Sequence, residues 1–275
     1  MSAPYTVRLG TPGGLPTVMA HCFLGHSGGW EGLVGAMDPP LDALAFDMPG
    51  HGRSPAWDNP TGQSDYQADV TAQLAGLIDR PSLLIGHSFG ATCALRHALE
   101  RPGDVLGLVL FEPVFFAAAR EEPEFADHLR DEHGFAAALR AGRPEAAARA
   151  FMQINGDAAP WEALPEKTRA RFMAQMPLIA ASRPGVFDDS GGQLAPGRMA
   201  GFDRPVLLIT GARSPGIFRA VSRALVGRLG RAERVRIPGA GHMVPISHAA
   251  DCARVIGEWL AREGIAPRPA ARAAS

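Results

Sequence analysis

Leu83–Leu95 reads LLIGHSFGATCAL, and this stretch decides the fold. The apolar run Leu83–Ile85 is typical of a buried strand, and the small residues after Gly90 are typical of a helix. The turn between them has the spacing G-x-S-x-G, which holds Ser88 at its tip beyond the end of a sheet. The two glycines let the strand and the helix approach where a Cβ atom would clash. The positive end of the helix dipole then lies beside any negative charge that develops near the serine.

A serine in such a turn is a candidate nucleophile, but its free hydroxyl is weak and needs a base. His242 is the candidate base, because the glycine-rich loop Pro238–His242 follows the last predicted strand and lies at the same edge of the sheet. Its position after Ser88 fits the chain order of serine, acid and histidine. Four other histidines, which the patterns place in a turn, a helix or the central region, are assigned structural or surface roles: His51, His97, His128 and His133.

The acid that orients this base is expected at the carboxyl end of a strand, between the serine and the histidine. Glu112 directly follows the predicted strand Val105–Phe111, and we assign it this role, in which it accepts the ring N–H and stabilises the imidazolium. The alternative is that Glu112 caps or forms a salt bridge with a neighbouring segment. Asp188 and Asp189, further along the chain, are the reserve candidates.

The composition indicates an ordinary globular protein with one large core. The 275 residues carry a formal net charge of −1, which does not favour binding to nucleic acid or to an acidic membrane surface. Three cysteines favour free thiols and a reducing compartment over a disulfide framework. The sequence shows no metal-ligand spacing of Cys and His, no apolar run of membrane-spanning length and no signal peptide in Met1–Gly10. We therefore expect a cytoplasmic protein.

Predicted strands and helices alternate along most of the chain and are joined by short loops. This pattern predicts an α/β fold, with a mostly parallel central sheet covered by helices on both faces. Residues 114–202 differ, because they form alanine-rich helical runs without a convincing strand. We therefore expect a core of residues 1–113 and 203–262, a helical insertion of residues 114–202, and a disordered tail of residues 263–275.

A second G-x-S-x-G spacing occurs at Gly25–Gly29. It does not follow a predicted strand directly, so Ser27 is interpreted as the N-cap of a helix that begins near Gly28. His26, which lies within this spacing, and His87, which precedes the candidate nucleophile, are candidate pocket residues.

Three motifs together resemble the α/β-hydrolase family: the turn Gly86–Gly90, the upstream loop Asp47–Ser54 and the downstream loop Pro238–His242. The resemblance covers about residues 5–262, and the helical insertion matches the family's cap domain. It implies acyl transfer to Ser88 followed by attack of water, with no metal or organic cofactor.

The resemblance also implies an oxyanion hole made of two backbone N–H groups. One donor is Phe89, directly after the nucleophile. The other is Phe23, because the sequence His21–Phe23 stands where the family usually has His-Gly-x.

Two positions depart from the family pattern. Cys22 stands where the family usually has glycine, which could crowd the oxyanion loop. Ser214 stands where many members have the acid. Other members carry the acid after the strand that follows the nucleophile helix, and Glu112 lies at that place.

These observations predict a serine hydrolase of carboxylic esters or lactones, monomeric or homodimeric, with a small apolar ester-like substrate. Two alternatives stay open, because a fold does not determine a reaction. One is another reaction of the same fold, such as carbon–carbon bond hydrolysis, a lyase reaction or acyl transfer. The other is a receptor-like member that binds a ligand with little turnover. A dehalogenase is disfavoured because its nucleophile would be Asp.

Overall fold

The computed structural model describes residues 3–59, 65–156 and 160–266. Its strands are β1 Thr6–Gly10, β2 Leu15–Ala20, β3 Leu41–Phe46, β4 Ser82–His87, β5 Val105–Phe111, β6 Val206–Gly211 and β7 Ala232–Ile237. Within the described chain they form one sheet in the order β1-β3-β2-β4-β5-β6-β7. The edge strand β1 runs antiparallel to β3, and every other neighbouring pair is parallel.

The helices are α1 Glu31–Gly35, α2 Tyr66–Leu77, α3 Phe89–Glu100, α4 Pro123–Arg140, α5 Pro144–Asn155, α6 Glu166–Ala181, α7 Arg183–Phe187, α8 Gly216–Val226, α9 Val244–Ser247 and α10 Ala249–Glu263. Helices lie on both faces of the sheet, which confirms the predicted fold class. Helices α4–α7 lie between β5 and β6, and the described residues of that segment contain no strand. The exact boundaries of the insertion, at residues 114 and 202, stay predictions.

Strand β4 is buried on both faces, which explains why its sequence is a continuous apolar run. Successive side chains of a strand point to opposite faces of the sheet. Leu83 and Ile85 therefore join the apolar cluster that contains Trp259 of α10, whereas Leu84 joins the cluster that contains Phe218 of α8. The strand that ends at the candidate nucleophile is thus held from both sides.

The C-terminal boundary differs from the prediction. Helix α10 includes Glu263 and ends at Gly264, whose φ of 66° is readily adopted by glycine. Ile265 packs against the apolar core and its N–H donates to the Leu260 carbonyl, so the predicted disordered tail is wrong at its first residues. Residues 267–275 lie outside the described part of the chain. Across the described residues, the structure has no helix with the length and apolar character needed to cross a membrane.

Two loops at the carboxyl edge of the sheet are held together by one buried carboxylate. Asp47, which directly follows β3, accepts the N–H of Ser27 at 2.6 Å and the N–H of Arg53 at 2.7 Å. Burial raises the pKa of Asp47, but these hydrogen bonds outweigh burial and leave the pKa below its ordinary value. The carboxylate therefore orders both loops.

The same loops contain two buried, uncharged histidines. The Nδ1–H of His21 donates to the Cys22 carbonyl at 2.7 Å, and its Nε2 accepts the N–H of Met48 at 3.0 Å. Burial lowers the pKa of His21 to about 4 and that of His51 to about 3. Both rings therefore stay neutral in the folded protein at pH values slightly below neutral, at which they bind protons in the unfolded chain.

Gly90 allows α3 to pack directly against the end of β2. A Cβ atom on Gly90 would lie 2.2 Å from the Ala20 carbonyl oxygen and 2.4 Å from the His21 carbonyl oxygen. We expect Gly90→Ala to lower the free energy of unfolding by about 2 kcal/mol or more, because the backbone must move to relieve the overlap. Chemical denaturation measures the change. Gly103→Ala is the matched control, since a Cβ atom there meets no atom within 4 Å, and equal losses for both variants would contradict the prediction.

The buried His51 predicts a specific pH dependence. Because the unfolded ring binds a proton near its ordinary pKa of 6.5 and the folded ring only near 3, the free energy of unfolding falls as the pH drops below 6.5. In His51→Gln this contribution is absent. For this variant, the slope of the free energy of unfolding against pH should be smaller than that of the wild-type protein by about 1.4 kcal/mol per pH unit, measured between about pH 5.5 and 4.5. His133→Gln, at an exposed histidine, is the matched control, and a wild-type slope in His51→Gln would refute the prediction.

Candidate active site

Ser88 lies at the tip of a sharp turn between β4 and α3. Its φ of 56° and ψ of −115° are unusual for a residue with a side chain, and such backbone strain costs about 1–3 kcal/mol. The Ser88 N–H donates to the Phe111 carbonyl at 2.8 Å, which ties the turn to the end of β5. The hydroxyl is therefore held in a fixed position above the sheet.

Three predicted side chains come together at this edge. His242 Nε2 lies 3.1 Å from Ser88 Oγ, and His242 Nδ1 lies 2.7 Å from Glu112 Oε2. The carboxylate accepts the Nδ1–H, which leaves the Nε2 lone pair to accept the serine hydroxyl proton. Ser88 and His242 are each 5% exposed and Glu112 is fully buried. The arrangement can transfer a proton from a serine hydroxyl to a shielded histidine.

Glu112 is fixed by the ends of two strands. Its other oxygen, Oε1, accepts the Gly211 N–H at 2.7 Å, and its own N–H donates to the Ile209 carbonyl at 3.1 Å. A buried carboxylate is stable only when it is paired and hydrogen-bonded, and both oxygens of Glu112 are occupied. Gly211 ends the strand after which the sequence has no acid, so β6 supplies a backbone donor in place of a carboxylate.

The reserve acids lie elsewhere. Both carboxylate oxygens of Asp189 accept backbone N–H groups, from Gln193 at 2.7 Å and from Leu194 at 2.9 Å. Asp188 is exposed. In the described residues, the His242 Nδ1 atom is paired with Glu112 and not with either of these aspartates.

Contacts other than the hydrogen bonds to Ser88 and Glu112 also restrain the position of His242. Its ring stacks on Phe218, with 4.3 Å between ring centroids and 22° between planes. Its carbonyl accepts the Nε2–H of His87 at 2.8 Å. Burial lowers the pKa of His87 well below its ordinary value, so this ring is a neutral donor. The His242 ring and the loop that carries it are therefore both held in place.

Two cavities meet at Ser88. The first, which we call the histidine-side cavity, measures about 260 Å³ and is lined by Cys22, Phe23, Leu24, Gly25, Ser88, Phe151, Met152, Asn155, Leu164, Phe172, His242 and Met243. The second, which we call the insertion-side cavity, measures about 190 Å³ and is lined by Ser88 and by side chains of the insertion that include Phe116, His128, Glu132, Phe135, Arg140, Arg183 and Phe187. Only the histidine-side cavity also contacts His242.

The predicted pocket residues His26 and His87 line neither of these cavities. Both border a third cavity of about 200 Å³ on the other side of the loop that follows β2. His26 is itself the N-cap of the 3₁₀ turn Ser27–Trp30, because its Nδ1 accepts the Gly28 N–H. The assignment of Ser27 as the N-cap is therefore wrong, and the N–H of Ser27 is instead bound by Asp47.

The predicted oxyanion donors are neighbours in space. The rings of Phe23 and Phe89 stack with 4.3 Å between centroids and 24° between planes. The N–H of Phe89 is the first of α3 and has no acceptor within that helix. Leu24, which follows Phe23, has a φ of 65°, so the loop turns sharply beside the serine.

Cys22 is accommodated at the position where a glycine was expected. Its thiol is buried, and burial raises its pKa to about 12, so it is an uncharged thiol at neutral pH. The cysteines Cys22, Cys93 and Cys252 are all free. In the segments that the structure describes, no three His, Cys, Asp or Glu side chains are grouped so that they could hold a metal ion.

Sequence reasoning missed Asp47, His128 and Glu132 as residues of the site region. Asp47 could have been found, because it directly follows β3 at the edge where parallel strands place functional groups. His128 and Glu132 had no comparable signal, since they lie on a helix of the insertion whose inward face depends on tertiary packing.

Comparison with known proteins gives relatives that share the whole fold or part of it. Lipase LipV of Mycobacterium tuberculosis is 36% identical over 110 residues, which cover 38% of this chain and 40% of the lipase. A pimeloyl-acyl-carrier-protein methyl ester esterase of Methylococcus capsulatus is 26% identical over 280 residues, covering 90% of this chain and 95% of the esterase. The chain spans about half or less of the length of several other curated relatives that it matches.

A solved structure shows the same fold over nearly the whole chain. A thermophilic esterase from Thermogutta terrifontis superposes with a TM-score of 0.67 at 21% identity and covers 94% of each chain. The sequence profile described as Alpha/beta hydrolase family matches residues 17–255. Because this match extends from β2 into α10 and includes well over half of the chain, the chain belongs to the α/β-hydrolase family of enzymes.

Proposed function

We propose that this protein hydrolyses carboxylic esters or lactones through an acyl-enzyme on Ser88. The observation that carries the proposal is the chain of hydrogen bonds from Glu112 through His242 to Ser88, at 2.7 and 3.1 Å. A nucleophile, a base and an orienting acid in this geometry fit acyl transfer. The names lipase and esterase among the similar proteins support the same reaction class.

In the first half of the reaction, Ser88 Oγ attacks the substrate carbonyl carbon while His242 Nε2 takes the hydroxyl proton. The Glu112 carboxylate keeps the ring in the required tautomer and stabilises the imidazolium. The backbone N–H groups of Phe23 and Phe89 hold the oxyanion, and one such donor is worth about 10²–10³ in rate. The tetrahedral intermediate then collapses, and His242 returns the proton to the departing alkoxide.

In the second half, water enters beside His242 and attacks the acyl carbon. The histidine takes a proton from this water and later gives it to Ser88 Oγ, so the serine is regenerated and a carboxylic acid leaves. For a lactone, the leaving alcohol stays attached to the acyl chain, and the product is a hydroxy acid. Both halves use the same three side chains.

The substrate is proposed to be small and largely apolar. Phe151, Met152 and Phe172 of the insertion line the histidine-side cavity, as expected for residues that cover the site. Phe116 lines the insertion-side cavity, whereas Trp161 borders neither cavity. The cytoplasmic location and the monomeric or homodimeric state stay predictions. The alternative reactions of the fold also stay open, and a substrate panel with product analysis distinguishes them.

Labelling with a fluorophosphonate probe tests the nucleophile directly. We expect one adduct per chain, mapped to Ser88 by peptide mass spectrometry. Ser88→Ala should lose the adduct, and its hydrolysis of 4-nitrophenyl butyrate should fall about 10⁴-fold or more. Ser27→Ala, at the serine of the other G-x-S-x-G spacing, is the matched control and should keep the adduct. A folded wild-type protein without an adduct on Ser88 would refute the assignment.

Replacing the orienting acid tests the second role. Glu112→Gln should lower kcat on the same ester by about 10³–10⁴, because an amide neither holds the required tautomer nor stabilises the imidazolium. Thermal unfolding of each variant checks that it is folded. Asp188→Asn is the control and should keep wild-type kcat. If instead Asp188→Asn lost activity and Glu112→Gln kept it, the acid would be the reserve candidate.

A further inference from the structure

The two cavities at Ser88 suit different parts of the substrate in an acyl-transfer reaction. The leaving alcohol must lie beside His242 Nε2, because this atom protonates it. The histidine-side cavity contacts both Ser88 and His242 and therefore suits the alcohol. The insertion-side cavity contacts Ser88 but not His242, so it suits the acyl chain.

The polar side chains of α4 that line the insertion-side cavity are His128, Glu132 and Arg140. His128 and Glu132 are four residues apart, which places them on one face of the helix. His128 is only 5% exposed, and its Nε2 atom has no hydrogen-bond partner in the described chain. Glu132 is half-buried, and its carboxyl group interacts electrostatically with Arg183. Buried polar groups in proteins are normally paired, so a cavity that contains the unpaired His128 Nε2 beside a carboxyl group is suited to a polar ligand atom.

The His128 ring is held in place by aromatic neighbours. It lies 4.1 Å from the Phe116 ring and stacks on the Phe187 ring at 6.0 Å with 10° between planes, measured between centroids. It therefore cannot turn easily towards another partner. Phe116 and Phe187 also line the insertion-side cavity, so the polar pair lies among apolar walls.

The titratable side chains around this cavity are of both signs. Burial lowers the pKa of His128 to about 4, so its ring is neutral. Burial raises the pKa of Glu132 to about 7, against the opposing effect of Arg183. Besides Glu132, the cavity is lined by Arg140 and Arg183, so a charged ligand group of either sign would meet both an opposite and a like charge. A hydroxyl group fits such a mixed lining without a like-charge contact, because it can donate one hydrogen bond and accept others while it stays uncharged.

We propose that the insertion-side cavity binds the acyl chain of the substrate, and that His128 and Glu132 recognise a hydroxyl group on that chain. The substrates are then esters of medium-length hydroxy acids, a specificity that rests on the proposed ester hydrolysis at Ser88. The cavity of about 190 Å³ has room for several heavy atoms, since about 10–15 Å³ measured in this way already holds one water molecule. An acyl chain of about six carbons fits this space.

The test compares the 4-nitrophenyl esters of hexanoic, 3-hydroxyhexanoic and 6-hydroxyhexanoic acid. We expect kcat/KM for at least one hydroxy ester to exceed that for the hexanoate by about fivefold to thirtyfold, as one or two net hydrogen bonds would give. In Glu132→Leu and in His128→Phe this ratio should fall towards one. Glu132→Gln keeps a hydrogen-bonding side chain and should retain most of it. Asp127→Asn, on the solvent face of the same helix, is the matched control and should keep the wild-type ratio.

Three outcomes overturn the inference. The first is that the wild-type protein prefers neither hydroxy ester, and the second is that its preference survives in both Glu132→Leu and His128→Phe. The third is a stronger preference for the matched 5-carboxypentanoyl or 6-aminohexanoyl ester. If no ester is hydrolysed, the proposed function fails, and the cavity is tested separately by calorimetry. Ser88→Ala should then bind methyl 3- or 6-hydroxyhexanoate at least fivefold more tightly than methyl hexanoate, and equal affinities overturn the inference.

Discussion

The buried carboxylate of Glu112 is the constraint on which the site depends. One oxygen accepts the Gly211 N–H from the end of β6, and the other accepts the ring N–H of His242. Removing one partner of a buried charge costs several kcal/mol, so both contacts must form together. The register of β5 against β6 and the position of the loop after β7 are therefore coupled to the orientation of a single imidazole ring.

Close backbone approach explains why these groups meet at one edge. Gly90 lets α3 lie against the end of β2, so the strained serine turn and the loop that carries Phe23 become neighbours. The stacked rings of Phe23 and Phe89 then link these two segments. Asp47 orders the next loop along the edge through two backbone N–H groups. Each contact joins the ends of parallel strands, which is where this type of sheet places its site.

The insertion between β5 and β6 adds what the sheet does not supply. Its helices line both cavities that open on Ser88, while Ser88, Glu112 and His242 all follow strands. The strand ends and the insertion therefore contribute different parts of the region around Ser88. This separation agrees with the range of activities named among proteins that share the fold, because a fold fixes the place of a site and not its reaction.

The sequence by itself determined the alternating α/β fold, the serine turn and the histidine loop. These are local signals, since apolar periodicity and glycine spacing act over a few residues. It also pointed to Glu112, because a strand end can be recognised from the run Val105–Phe111. Only the tertiary structure decided that Glu112 contacts His242, 130 positions away, and that His26 and His87 face a different cavity. It alone brought His128 and Glu132 to the serine cavity, because the inward face of an insertion helix depends on how distant segments pack.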